Sequence, residues 1–282
     1  VDASSKELLE KLSNAYGSGE ARATLQLLVE DLLHTSWSRF AAGMEQLDGE
    51  EMNSLSLAVE RILSGVPPQH ITGKAWFYGR PFKVNRHVLI PRPETEELVA
   101  WVLSEQPSAP WSGIDIGTGS ACIPVSIMCE TPLASMTGLD ISEDTLAVAR
   151  HNAENMKAQV SFVHYDILNW QTEDFRDLDV IISNPPYIPE SEAIELADRV
   201  RDHEPGLALF VPNLDPLVFY RNITEAALHW LKPGGRLYFE IHEAFGQAVQ
   251  ELLVQSGFEQ VQLKSDMQGK DRMISGALMS ND

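Results

Sequence analysis

Apolar residues recur at helical spacing from Lys6 to about Ser64: Leu8, Leu9 and Leu12, then Leu25, Leu28, Val29, Leu32 and Leu33, then Leu55, Leu57, Ala58, Val59 and Ile62. Breaks at Gly17-Ser18-Gly19 and between Gly43 and Gly49 separate these runs, which predicts a small antiparallel helical bundle closing at Gly65-Val66-Pro67-Pro68. The next stretch, His70 to Ile90, carries Trp76, Phe77, Tyr78, Phe82, Val84 and Val88 around Gly79-Arg80-Pro81, the composition of a hairpin that links the bundle to the rest of the chain. Pro91-Arg92-Pro93-Glu94-Thr95-Glu96-Glu97 then predicts a helix start, with Pro93 at the first helical position and acids in the first turn. Arg92, held between two prolines, is expected to face a ligand or the partner domain.

From Ser112 the rhythm becomes strand, helix, strand, helix. Gly113 to Ile116, Met136 to Leu139, Val160 to His164 and Val180 to Ile182 read as short buried strands. Ser142 is placed to cap the helix after the second. Pro233-Gly234-Gly235 predicts the turn from a helix into a fifth strand, Arg236 to Ile241, and Phe258 to Lys264 and Arg272 to Met279 complete a set of seven. The expected fold class is a doubly wound α/β, Rossmann-like domain over residues 92–282, preceded by a helical bundle over 1–66 and a linker with a β-hairpin over 67–91.

Charge narrows the choice of partner. Across 282 residues the formal net charge is −20, which argues against a broad phosphate-binding face and for a basic partner rather than a nucleic acid. Cys122 and Cys129 fall on one expected helix, a geometry suited to packing in a reducing compartment rather than to bridging. The first twenty residues lack the apolar core of a signal peptide and no later run is long enough to span a bilayer, so a cytoplasmic location is expected. The chain opens on Val1 rather than Met, which suggests a trimmed start.

The candidate chemistry sits where the expected strands end. Val180-Ile181-Ile182 runs into Ser183-Asn184-Pro185-Pro186-Tyr187, a polar turn stiffened by two prolines at the carboxyl edge of the sheet, where open α/β sheets bind ligands. The Asn184 carboxamide can accept and donate at once, which suits it to gripping a planar NH2 group. Asn184, Pro185 and Tyr187 are the candidate catalytic groups, and these three with Pro186 and Arg92 are the candidate substrate contacts. Gly117-Thr118-Gly119, after the first strand, lets a ligand pass close to the backbone, and the helix start beyond it can hold a carboxylate. Asp140 ends the second strand, suited to ribose hydroxyls, and Asp166 stands after the third, suited to an adenine amino group. A nicotinamide cofactor would want a third glycine where Cys122 stands, so S-adenosylmethionine is the expected cofactor. The candidate set for it is Asp115, Gly117, Thr118, Gly119, Ser120, Ala121, Asp140, Asp166, Ile167 and Asn184. No metal-ligating or nucleophile-elbow pattern accompanies it: His242-Glu243 lacks the second His of a zinc-protease helix.

Several segments together resemble the release-factor glutamine methyltransferase family (HemK/PrmC), over most of the chain. Pro68-Gln69-His70-Ile71-Thr72-Gly73, Phe77-Tyr78-Gly79 and Val88 to Glu96 resemble its linker and hairpin. Asp115 to Ser120, Asn184-Pro185-Pro186-Tyr187, Glu204-Pro205 with Ala208-Leu209, and Lys270-Asp271-Arg272 resemble its catalytic-domain motifs. Ala121 departs from the pattern, since the family commonly has a glycine there. The resemblance implies a seven-stranded class I methyltransferase that uses S-adenosyl-L-methionine, releases S-adenosyl-L-homocysteine, and methylates the side-chain amide nitrogen of the glutamine in the Gly-Gly-Gln motif of class 1 peptide chain release factors. A monomer with no direct nucleic-acid or membrane partner is expected. Two rivals remain: an adenine N6-methyltransferase acting on DNA or RNA, which should show a basic groove, and a noncatalytic adaptor that only binds S-adenosylmethionine.

Overall fold

Residues 3–172 and 175–279 are described by the computed structural model, and their contacts fall into two units. Among the described residues, the first takes in 3–75, 84–86 and 196–203. Its helices are α1 (Ala3–Tyr16), α2 (Ser18–Leu27), which runs on through a π-helical turn at Leu28–Leu32, α3 (Trp37–Ala41), α4 (Gly49–Leu63) and α5 (Pro68–Thr72). The periodic leucines make its core: Leu12, Leu25, Leu28, Leu55 and Val59 are fully buried together, while Leu57 of the same run faces solvent. A capping box starts α4, with the Asp48 carboxylate accepting from the Glu51 amide and the Glu51 carboxylate accepting from the Asp48 amide. Helix α5 was not expected from the pattern. Pro68 opens it at the first helical position and Gly73, at φ 69°, closes it.

The hairpin pairs β1 (Lys74–Phe77) with β2 (Arg80–Lys83). Its turn lies one residue earlier than the sequence suggested: Tyr78 (φ 49°) and Gly79 (φ 72°) both take left-handed backbone, the two-residue form that matches strand twist, and Arg80 and Pro81 are already strand. Phe77 and Phe82 meet edge to face at 5.9 Å in the core of the second unit.

That second unit holds α6 (Pro93–Glu105), β3 (Trp111–Ile116), α7 (Cys122–Glu130), β4 (Ala134–Asp140), α8 (Glu143–Asn155), β5 (Ser161–His164), β6 (Leu178–Ser183) and β7 (Ile188–Pro189). The segment carrying α9 (Asp198–Arg201) belongs to the first unit, where Arg199 pairs with Glu20. The second unit then resumes with α10 (Gly206–Leu209), β8 (Phe210–Val211), α11 (Val218–Trp230), β9 (Leu231–Glu240), α12 (Gly246–Gln255), β10 (Phe258–Ser265) and β11 (Asp271–Leu278). Pro93 does sit at the first turn of α6, and the Ser142 hydroxyl does accept from the Thr145 amide to cap α8. Pro233-Gly234-Gly235 lies inside β9 as a bulge, with Gly234 at φ 80°, rather than between helix and strand, since α11 ends at Trp230.

Seven strands form one sheet in the order β10-β11-β9-β6-β3-β4-β5, parallel except for β11, which runs antiparallel to both neighbours. Strands buried on both faces need apolar residues at every position, which is what Val180-Ile181-Ile182 supplies. Val180 and Ile182 pack on one face with α6 and α7, and Ile181 on the other with Tyr220, Trp230 and Leu253. The chain winds one way from β3 through β4 to β5 and the other way from β6 onward. Its topological switch point therefore falls between β3 and β6, the place beyond the strand ends where open α/β sheets bind their ligands. No described helix is long and apolar enough to cross a membrane.

Candidate active site

Ile116 and Ser183 are register partners at the ends of β3 and β6, and the Ser183 hydroxyl donates to the Ile116 carbonyl at 2.7 Å. The residues immediately beyond them, Gly117 and Asn184, are thereby set side by side at the switch point. On one flank Asp140 ends β4, next to β3.

Gly117 (φ 74°) and Gly119 (φ 56°) take left-handed backbone, and a Cβ at Gly117 would project into open space. Asp140 braces this turn: one carboxylate oxygen accepts from the Gly119 amide and the other from the Ser142 amide, each at 3.0 Å. Beneath lies a set of buried polar atoms without partners: both carboxylate oxygens of Asp115 and the hydroxyls of Thr118 and Ser120. Burial pushes the Asp115 carboxyl up to about 7; the nearby Thr118 hydroxyl, short of hydrogen-bond geometry, pulls it down and the Asp140 charge pushes it up again. Orphaned buried polar groups are costly in a folded chain, and here they gather at one strand end. An unpaired buried carboxylate and two hydroxyls beside an open glycine turn fit a ligand that brings its own cation and hydrogen-bonding groups, as the aminoacyl end of S-adenosylmethionine does.

Ala121 caps α7 in left-handed backbone (φ 62°) and is fully buried, which gives the reason a glycine suits this position. Asp166 turns its carboxylate on its own loop, accepting from the Leu168 amide at 3.0 Å and the Asn169 side-chain amide at 2.6 Å. Ile167 beside it is buried.

The Asn-Pro-Pro-Tyr turn is held by two residues that sequence reasoning did not single out. Asn184 Nδ2 donates to Thr95 Oγ1 (3.2 Å), the Thr95 hydroxyl donates to Glu240 Oε2 (2.6 Å), and the Tyr187 hydroxyl donates to Glu240 Oε1 (3.2 Å). No described group donates to Asn184 Oδ1 or to the Pro185 carbonyl. Glu240 is 1% exposed, and burial, ahead of the pull from Thr95 and Arg272, raises its carboxyl above the ordinary range. Burial and then the Glu240 charge hold the Tyr187 phenol protonated. A charged residue within the apolar run Leu237-Tyr238-Phe239-Glu240-Ile241 was the available signal, because a strand buried on both faces carries a charge only for a partner. Arg92 turns to Glu204, which is 6% exposed: the guanidinium donates to Oε1 at 2.6 Å while the Ile90 amide donates to Oε2 at 3.0 Å. Its charge also reaches Tyr187, favouring the phenolate slightly. Cys122, in α7, is buried and unbridged, with its thiol pushed up to about 12 by burial.

Known proteins share both parts of this chain. The family description "Methyltransferase small domain" matches residues 96–200, and "PrmC N-terminal domain" matches residues 6–73. The chain is 40% identical over 267 residues to the release factor glutamine methyltransferase of Bacteroides thetaiotaomicron, covering 94% of this chain and 96% of that one. It is 38% identical over 272 residues to the protein of the same name from Bacillus subtilis, covering 94% and 93%. A solved methyltransferase from Pyrococcus furiosus shares the fold at 18% identity, with a TM-score of 0.53, over 80% of this chain and all of that one.

Proposed function

The chain belongs to the release factor glutamine methyltransferase family, and from that premise we propose how its own residues methylate a glutamine amide. It is a methyltransferase acting on release factors, and the donor we assign is S-adenosyl-L-methionine, which supplies an electrophilic methyl on a sulfonium when bound. Asp115, Thr118 and Ser120 would hold the aminoacyl end and Asp140 the ribose hydroxyls, using the lone pairs left on its two oxygens. Gly117 and Gly119 would line the approach, and Ala121, buried at the start of α7, would shape the turn from within. Asp166 and Ile167 would face the adenine, with Ile167 giving apolar contact.

An amide nitrogen is a poor nucleophile because its lone pair is delocalised into the carbonyl. What the chain can supply is placement. Asn184 Oδ1 and the Pro185 carbonyl are free to accept the two N–H bonds of the substrate amide, which aims the nitrogen at the methyl and stabilises the positive charge that develops on it. Tyr187 packs against the amide plane, and Pro186 limits the torsions frozen on binding. Arg92 acts by fixing the Ile90-to-Pro93 segment through Glu204. Alignment of two reactants accounts for about 7 to 11 kcal/mol of barrier in favourable cases, so no strong base is required.

The observation that carries this reading is the Asn184 amide, tethered through its nitrogen beside the glycine turn, with no described group donating to its oxygen. The substrate we propose is the Gly-Gly-Gln glutamine of class 1 release factors, met in the cytoplasm, with the helical unit as the docking element. Incubation with labelled S-adenosylmethionine and a release factor tests it: label should enter the wild-type factor and not one with Gln→Ala in that motif. Labelling of DNA or RNA instead would favour the adenine reading, and no transfer would favour the adaptor.

A further inference from the structure

Only one hydroxyl proton is available at Thr95, and three groups meet there. Glu240 accepts it, so Thr95 Oγ1 is left as an acceptor toward Asn184, and Asn184 must present its NH2 inward and its oxygen outward. We propose that Glu240, acting through Thr95, is a positioning residue that sets which end of the Asn184 amide faces the substrate. The inference rests on the role given above to Asn184.

The two states of Glu240 give opposite outcomes. Ionised, it takes the Thr95 proton, and the site offers an acceptor to the substrate N–H. Protonated, it can donate to Thr95, whose own proton then turns toward Asn184. The amide flips to accept it, and an NH2 donor faces a substrate NH2. That polarity repels the substrate amide. The Tyr187 hydroxyl, donating to the other Glu240 oxygen, favours the ionised form, as does Arg272 of β11. Against it stand burial and the Glu94 charge on α6. Cys122 of α7 and Tyr220 of α11 also face Glu240, both protonated, and the Tyr220 hydroxyl donates to the Glu240 backbone carbonyl at 3.3 Å. Because burial raises the Glu240 carboxyl, transfer is lost as pH falls through a value above the ordinary carboxylate range.

The test is the single-turnover rate of methyl transfer to a release factor, against pH, for the wild type, Thr95→Val, Thr95→Ser and Glu240→Gln, with cofactor affinity measured alongside. Thr95→Val keeps the shape without the hydroxyl. It should slow transfer on the order of 10-fold to 100-fold, the scale of a misaligned reacting group, with cofactor affinity held and the acid limb of the profile gone. Glu240→Gln should do the same, and Thr95→Ser should recover both rate and acid limb. Wild-type-like rates in Thr95→Val, or an acid limb that persists there, would overturn the inference. If a variant fails to bind cofactor, the wild-type profile decides: a rate flat across the acid limb overturns it. Asn184→Ala separates the two levels. Full activity in Asn184→Ala defeats the reading of the site itself, whereas an inactive Asn184→Ala beside an active Thr95→Val defeats only the Glu240 assignment.

Discussion

Tyr187 and Glu240 are joined at 3.2 Å across the end of the sheet, so the ring proposed to pack against the substrate amide is held by a buried carboxylate. A hydroxyl donated to a charged group contributes about 1.5–3 kcal/mol, and removing it leaves one oxygen of Glu240 unpaired. Tyr187→Phe should therefore lower unfolding free energy by about that amount while keeping part of the transfer rate, because the aromatic face remains. Tyr187→Ala should lose the rate as well. Denaturant unfolding and single-turnover rates, measured on both variants, separate the two contributions.

Asp115 is expected to make the cofactor-free protein less stable as pH rises. Its carboxyl titrates near 3.8 in the unfolded chain and at about 7 when folded, so between those values the folded state holds the extra proton. Stability then falls as pH climbs through that interval and levels off above it. Asp115→Asn should remove this slope, gain on the order of a few kcal/mol relative to wild type at alkaline pH, and weaken S-adenosylmethionine binding. Denaturant midpoints across pH, with and without cofactor, read both effects.

Ala121 holds left-handed backbone with a Cβ, at a cost of about 1–2 kcal/mol, part of which glycine would return as lost chain entropy. Ala121→Gly should raise stability by about 0.5–1 kcal/mol and leave S-adenosylmethionine affinity equal or tighter. Thermal unfolding and cofactor titration on the same preparation measure it. A clear loss of stability would mean that the methyl is needed to fill the core against α7.

Much of this architecture was legible because local chemistry and global fold agree. Val180 to Ile182 could only be a strand covered on both sides, and the prolines after it could only end it. The hairpin turn was displaced by one residue because Pro81 suits an edge strand as well as a turn, and left-handed backbone at Tyr78 leaves no mark in composition. Helix α5 is too short for periodicity to register. The brace around Asn184 was hidden for a different reason: Thr95 is 89 residues from Asn184 and 145 from Glu240, and only the pairing of β6 with β9 and the packing of α6 on β9 bring them together. Arg92 was expected to face a ligand or the partner domain; its carboxylate partner, Glu204, lies 112 residues away.

The most direct measurement is the single-turnover rate of methyl transfer from S-adenosylmethionine to a release factor by Asn184→Ala, compared with wild type at saturating cofactor. Loss of the side-chain acceptor that works beside the Pro185 carbonyl should cost on the order of 100-fold or more in rate at saturating cofactor. A rate close to wild type would contradict the account, because the amide oxygen beside the glycine turn would then have no part in aiming the substrate.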